Sequence, residues 1–166
     1  MPLAQVLLIE FDHEMATTRR LLERVPEDRA DYRPHPKSFN LGDLAEHVAQ
    51  LPYWGVLTVT GTELDLASAN FPARRFEGTA RLLEKLDANV AKAREAIGGA
   101  SDDDLRVTWT LKRGGNTLLA MPRARILRTF MLNHHIHHRG QLSVYMRELD
   151  VPLPPMYGPT ADEGAF

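Results

Sequence analysis

Asn133–Gln141 reads N-H-H-I-H-H-R-G-Q and holds four of the chain's seven histidines. Side chains three or four residues apart on a helix share a face, so His134 can pair with His138, or with His137, on one metal ion. The plain alternative is a polar helix surface, or histidines hydrogen-bonded within the core. Which of these holds depends on the direction the histidines face and on what lies opposite them.

Composition narrows the chemistry. There are no cysteines, which excludes disulfides, thiolate zinc sites and a cysteine nucleophile. A metal must then be held by His, Asp or Glu, and any reacting thiol must arrive with a substrate. A net charge of −2 offers no general attraction for nucleic acid, and Arg123, Arg125, Arg128, Arg139 and Arg147 read as a solvated helix face. Apolar runs are too short to span a membrane, and the N-terminus lacks a basic region and a small-residue cleavage site. The expectation is a cytoplasmic chain of one domain, residues 1–166, with no nucleic-acid or membrane partner.

The elements that must position the cluster follow from apolar periodicity. Leu3–Val25 reads as a first helix closed by Pro26, with His13 between Asp12 and Glu14. Pro34 and Pro36 keep the next stretch, including His35, out of helix. Asn40 is the candidate N-cap of a second helix, with Asp43 in its first turn and Leu41, Leu44, Val48 and Leu51 on its buried stripe. His47 borders that stripe, and Pro52 should kink the helix one turn later. Gly61–Phe71 reads as a loop. A third helix spans Phe76–Ile97 and is stopped by Gly98 and Gly99. Val107, Trp109 and Leu111 alternate ahead of Gly114-Gly115, the pattern of a β-hairpin. A fourth helix runs from about Pro122 to Leu149, and the proline-rich tail after it forms an extended strap or a dimer contact.

Winding the fourth helix at about 100° per residue places Ile126, Leu127, Phe130, Met131, Leu142, Val144, Tyr145 and Leu149 on one stripe. His134 falls at its centre and His138 to one side. His137 and Gln141 lie to the other side, and His135 at the far edge. His134 and His138 are therefore the leading pair and His137 the fallback. Two imidazoles bind weakly, so a facing helix should supply a third ligand. His47 is the first candidate and His13 the second, with Asp43, Glu46 and Gln141 as possible orienting partners. Three neutral imidazoles leave an ion its full charge and an open position, the pattern of a catalytic centre. Imidazole ligands favour zinc, nickel or copper over manganese and iron(II).

L-A-E-H-V-A on the second helix and N-H-x-x-x-H-R-G-Q-L on the last resemble the DinB/YfiT-like family of metalloenzymes. D-Y-R-P-H-P-K-S-F-N-L-G and the tail P-P-M-Y-G-P-T-A-D-E carry the same likeness, with Asp150 in place of a usual glycine. The resemblance implies an all-α, up-down-down-up four-helix bundle, commonly dimeric, here with a small β-hairpin insertion before the last helix. It implies a divalent metal, zinc or nickel, on His47, His134 and His138. The expected function is a metal-dependent enzyme that activates a small thiol or water in a transferase or hydrolase reaction on a small molecule. Relatives using bacillithiol or mycothiol point that way. The alternative is a non-catalytic metal-binding protein of the stress response.

Overall fold

The structure is a computed structural model that describes residues 1–71 and 73–164. The chain is mostly helical: α1 (Leu3–Leu22), α2 (Leu41–Gln50), α3 (Tyr53–Thr60), α4 (Thr79–Gly99), a short α5 (Asp102–Arg106), α6 (Arg123–Ile126) and α7 (Asn133–Glu148). A π-helical turn, Leu127–Leu132, joins α6 to α7 without a break. Three strands, β1 (Glu63–Asp65), β2 (Thr108–Arg113) and β3 (Asn116–Pro122), form one sheet in that order. No helix among the described residues is long and apolar enough to cross a membrane.

The long helices pack on one another because each buries one apolar side. α1 and α2 both lie against α4, and α2 also lies against α7. Leu21, Leu22, Leu44, Val48, Leu82, Leu86, Leu142 and Met146 fill the core at one end. Phe11, Met15, Ala93, Ile97, Leu127 and Met131 fill it at the other. Trp109, Leu111 and Ile126 seat the sheet against the helices, and the Trp109 indole N–H donates to the Leu57 carbonyl at 3.2 Å.

Local signals act where their chemistry requires. Asn40 caps α2, its Oδ1 accepting from the Asp43 amide at 2.7 Å. Pro52 separates α2 from α3. Gly114 and Gly115, at φ +58° and +80°, form the β2–β3 turn, in which both central residues must adopt positive φ. The tail runs as an extended strap that buries Leu153. The Leu153 amide is held by Asp162 at 2.9 Å.

Four expectations change. α4 begins at Thr79 rather than Phe76, because Gly78 sits at φ +102° and breaks the helical path. Gly98 and Gly99 are its last residues rather than its stop. The segment expected as loop contains β1, which pairs in parallel with β2 from Glu63↔Thr110 to Asp65↔Lys112, so the hairpin belongs to a three-stranded sheet. Asp65 secures that join, its carboxylate accepting from the Gly114 and Gly115 amides at 2.8 Å each. Two arginines expected on a solvated face, Arg123 and Arg139, are buried.

Gly42, in the first turn of α2, fixes how closely that helix approaches the chain before α4. A Cβ placed there would lie 2.9 Å from Phe76 Cβ and 3.3 Å from Ala30 Cβ. Gly42→Ala is expected to destabilise the fold by about 1–3 kcal/mol through overpacking, read from urea denaturation. An unchanged midpoint would show that Phe76 moves aside freely.

Candidate metal centre

His47 arises from α2, whose start is tied down by the Leu41 amide bonded to the Tyr32 carbonyl and the Gly42 amide bonded to the Ala30 carbonyl. His134 and His138 stand one turn apart on α7, the helix that faces α2. The three half-buried imidazoles meet, with one nitrogen from each within 4.8 Å of the others. His134 Nε2 and His138 Nε2 are 2.9 Å apart. Nitrogens sharing an ion at 2.0–2.1 Å lie about 3–4 Å apart, so the set is close to the size a metal ion needs.

Hydrogen-bond partners orient the lone pairs. Gln141 Oε1 lies 2.7 Å from His138 Nδ1 and accepts a hydrogen bond from that nitrogen, which therefore carries the proton. That leaves His138 Nε2 with a free lone pair directed at His134 Nε2. The Phe130 carbonyl favours a proton on His134, although it is not aligned well enough for a hydrogen bond and His134 Nδ1 has no partner. At 2.9 Å the two Nε2 atoms need either a proton, carried by His134, or a cation between them. The donor set therefore fits a metal ion, and Gln141 acts on it as a positioning residue.

Electrostatics keep these groups ready to ligate. Burial first, then the Arg74 charge and the other two imidazoles, depress the His47 pKa to about 3. Burial and His138 depress that of His134 to about 4. Burial also lowers His138, against the opposing bond to Gln141. All three are thus neutral across the physiological range, the form that binds metal.

The other histidines divide differently from the expectation. His137 is exposed, its ring against that of His138, and does not join the set. His13 and His35 are exposed as well. His135, expected at the flank, is fully buried at 0% exposure, while Val144, expected in the stripe, is 58% exposed. The cause is the π-helical turn, which takes up an extra residue per turn and slips the phase of everything after it. The buried stripe of α7 thus runs through His135, Arg139, Leu142, Ser143 and Met146. His134 and His138 move to its edge, where α2 brings His47.

Of the expected orienting partners, Gln141 reaches its histidine. Glu46 is instead paired with Lys85, and Asp43 lines a cavity that His47 also lines.

His135 belongs to a polar network that sequence reasoning missed. Its Nε2 lies 2.7 Å from Thr18 Oγ1. That hydroxyl donates to the Glu14 carbonyl at 2.8 Å, so the imidazole must be the donor. Arg139, 1% exposed, pairs with Glu14 at 2.6 Å and donates to Tyr157 Oη at 2.9 Å. Tyr157 donates to Glu14 Oε1 at 2.7 Å. The network ties α1, α7 and the tail together behind the edge that carries His134 and His138. Its sequence signals are scattered: His135 in the histidine cluster, Arg139 in the last-helix motif and Tyr157 in the tail motif.

Burial holds the His135 pKa near 3, with the Arg139 charge adding to the effect. The unfolded imidazole takes up a proton near pH 6.5 and the folded one does not until about pH 3. Stability is therefore fully present above pH 6.5 and falls as pH drops below it. His135 alone should cost about 1.4 kcal/mol per pH unit. Urea denaturation of metal-free protein at pH 7 and pH 5 would check this, and His135→Asn should remove about 1.4 kcal/mol per pH unit from a slope to which His47 and His134 also contribute. An equal slope in the variant would assign the loss to other groups.

The DinB family model matches residues 1–165, and the chain belongs to the DinB family. It is 26% identical over 163 residues to the uncharacterized protein YrdA of Bacillus subtilis, covering 95% of this chain and 90% of that one. A DinB-like protein from Bacillus cereus superposes with a TM-score of 0.70 at 22% identity, covering 91% of this chain and 95% of the other. The DinB-like protein YjoA from Bacillus subtilis gives 0.70 at 18% identity, covering 96% and 99%. At these identities the structural likeness establishes the fold.

Proposed function

We propose that the chain is a divalent-metal-dependent enzyme that uses His47, His134 and His138 to bring a small thiol or water to an electrophilic small molecule. The observation that carries this reading is the convergence of three neutral imidazoles from two helices, with no fourth His, Asp or Glu grouped with them among the described residues. Structural zinc sites are usually closed by four protein ligands, whereas catalytic ones keep a position open. The same supports favour zinc or nickel as the ion. α1, α2–α3, α4 and α6–α7 are read as an up-down-down-up four-helix bundle, acting in the cytoplasm as a homodimer.

An ion held there supplies a Lewis acid that lowers the pKa of a bound thiol or water. The chain's part is positional. Gln141 fixes the tautomer of His138, and His47 and His134 stay unprotonated. In the thiol reaction sulfur bonds to the electrophilic carbon, the leaving group departs with its electron pair, and the thiol proton passes to solvent.

The test is conjugation of bacillithiol, mycothiol or glutathione to monochlorobimane by zinc- or nickel-loaded protein. A rate above the metal-only blank, lost in His134→Ala, is expected. Equal rates in the variant and the parent would overturn the enzymatic reading in favour of a non-catalytic metal protein.

A further inference from the structure

A cavity of about 1030 Å³ opens beside His47, at the upper end of the size range for small-molecule sites. One wall is aromatic: the Trp54 and Phe71 rings stack at 5.9 Å, and behind Trp54 lies Phe130, 4.9 Å from it and 5.6 Å from His134. Leu57 and Leu66 extend this apolar side. At the histidine end the Arg74 guanidinium lies 4.8 Å above the Phe39 ring, and Phe39 packs against both His47 and His138.

Polar side chains line the cavity as well, Asn70, Asn89 and the charged Asp43, Arg74 and Lys85 among them. Arg74 has no carboxylate within 4.0 Å among the described residues, whereas Lys85, which also lines the cavity, is neutralised by Glu46. Asp43 is the one acidic side chain of the lining and sits in the first turn of α2, where the helix dipole accommodates its charge. The Arg74 charge is also felt by all three histidines, which it disfavours from protonating.

We infer that this cavity is the substrate pocket, and that it takes a small molecule with an aromatic or apolar body and a single anionic head, the head held by Arg74 and the body against Trp54 and Phe71. The inference rests on the proposed enzymatic reading only for what the bound molecule is used for. Arg74 is a specificity residue: charge-assisted bonds from a guanidinium suit a carboxylate, and an ion on the neighbouring imidazoles would add to the local positive field.

The pocket is tested without the metal, so that failure of metal binding and failure of the pocket give different results. Chelator-treated protein is titrated with 4-phenylbutyrate or its neutral amide, 4-phenylbutanamide, while the indole N–H resonances of Trp54 and Trp109 are followed. The expected result is a saturable shift of Trp54 with the carboxylate and affinity weaker by roughly tenfold for the amide. Arg74→Gln should weaken the carboxylate by a similar factor and leave the amide unchanged. Arg74→Lys, which keeps the charge, should retain binding within a few-fold and shows that the loop tolerates substitution. Equal affinity for carboxylate and amide, unchanged affinity in Arg74→Gln, or no saturable shift of Trp54 would overturn the inference.

Discussion

His47→Ala is expected to lower zinc affinity by more than about a hundredfold, the upper end of what removal of an outer hydrogen-bond partner alone costs. His47 is the one imidazole of the set that α7 does not provide. Without it the site is an i, i+4 pair, which holds an ion only weakly. Competition against a chromophoric chelator would measure the change. His137→Ala serves as the control, because His137 is exposed and outside the set, and should alter affinity only slightly. The fold should tolerate His47→Ala, since the lost imidazole is half-buried and has no hydrogen bond of its own among the described residues. Comparable losses in the two variants would mean that the ion is held on the outer face of α7, away from α2.

The second large effect concerns stability. Arg139→Ala should destabilise the fold by about 3–5 kcal/mol, because it leaves the Glu14 carboxylate buried without its cation. Glu14 is 4% exposed and would keep only the Tyr157 hydroxyl as a partner. The Arg139 guanidinium also donates to the Glu14 carbonyl at 3.1 Å and to Thr18 Oγ1 at 3.3 Å, so several acceptors lose a donor together. Combining Arg139→Met with Glu14→Gln should recover much of the loss, since no unpaired charge then remains. Urea denaturation of the parent and both variants would read this out. A loss below about 1 kcal/mol for Arg139→Ala would place the pair among ordinary surface ion pairs.

Much of this was legible in the sequence because it depends on local chemistry. Asn40 caps α2, Pro52 ends it, and Gly114-Gly115 turns the hairpin, each through a property of its own side chain or backbone. The coming together of His47, His134 and His138 was legible for a different reason: motifs on two helices carried it. Winding alone led to the same pair on α7 but placed His134 at the centre of the stripe. The π-helical turn at Leu127–Leu132 is a tertiary accommodation with no residue signature, and it moved that centre to His135. β1 was hidden because three residues with one apolar side chain carry no periodicity, and its partner β2 lies 47 residues away by register. Arg74 was hidden because a cavity is a property of several elements together. Arg139 was misjudged as solvated because its partner, Glu14, lies 125 residues away.

The central claim is that His47, His134 and His138 hold one metal ion with a position left open. A crystal structure of protein purified without chelator, with anomalous scattering collected at the zinc and nickel edges, tests it most directly. The expected result is a single anomalous peak about 2.0–2.1 Å from one nitrogen of each of the three histidines, with no fourth protein ligand. A peak closed by a fourth protein side chain, a peak elsewhere, or none at the three histidines would contradict it.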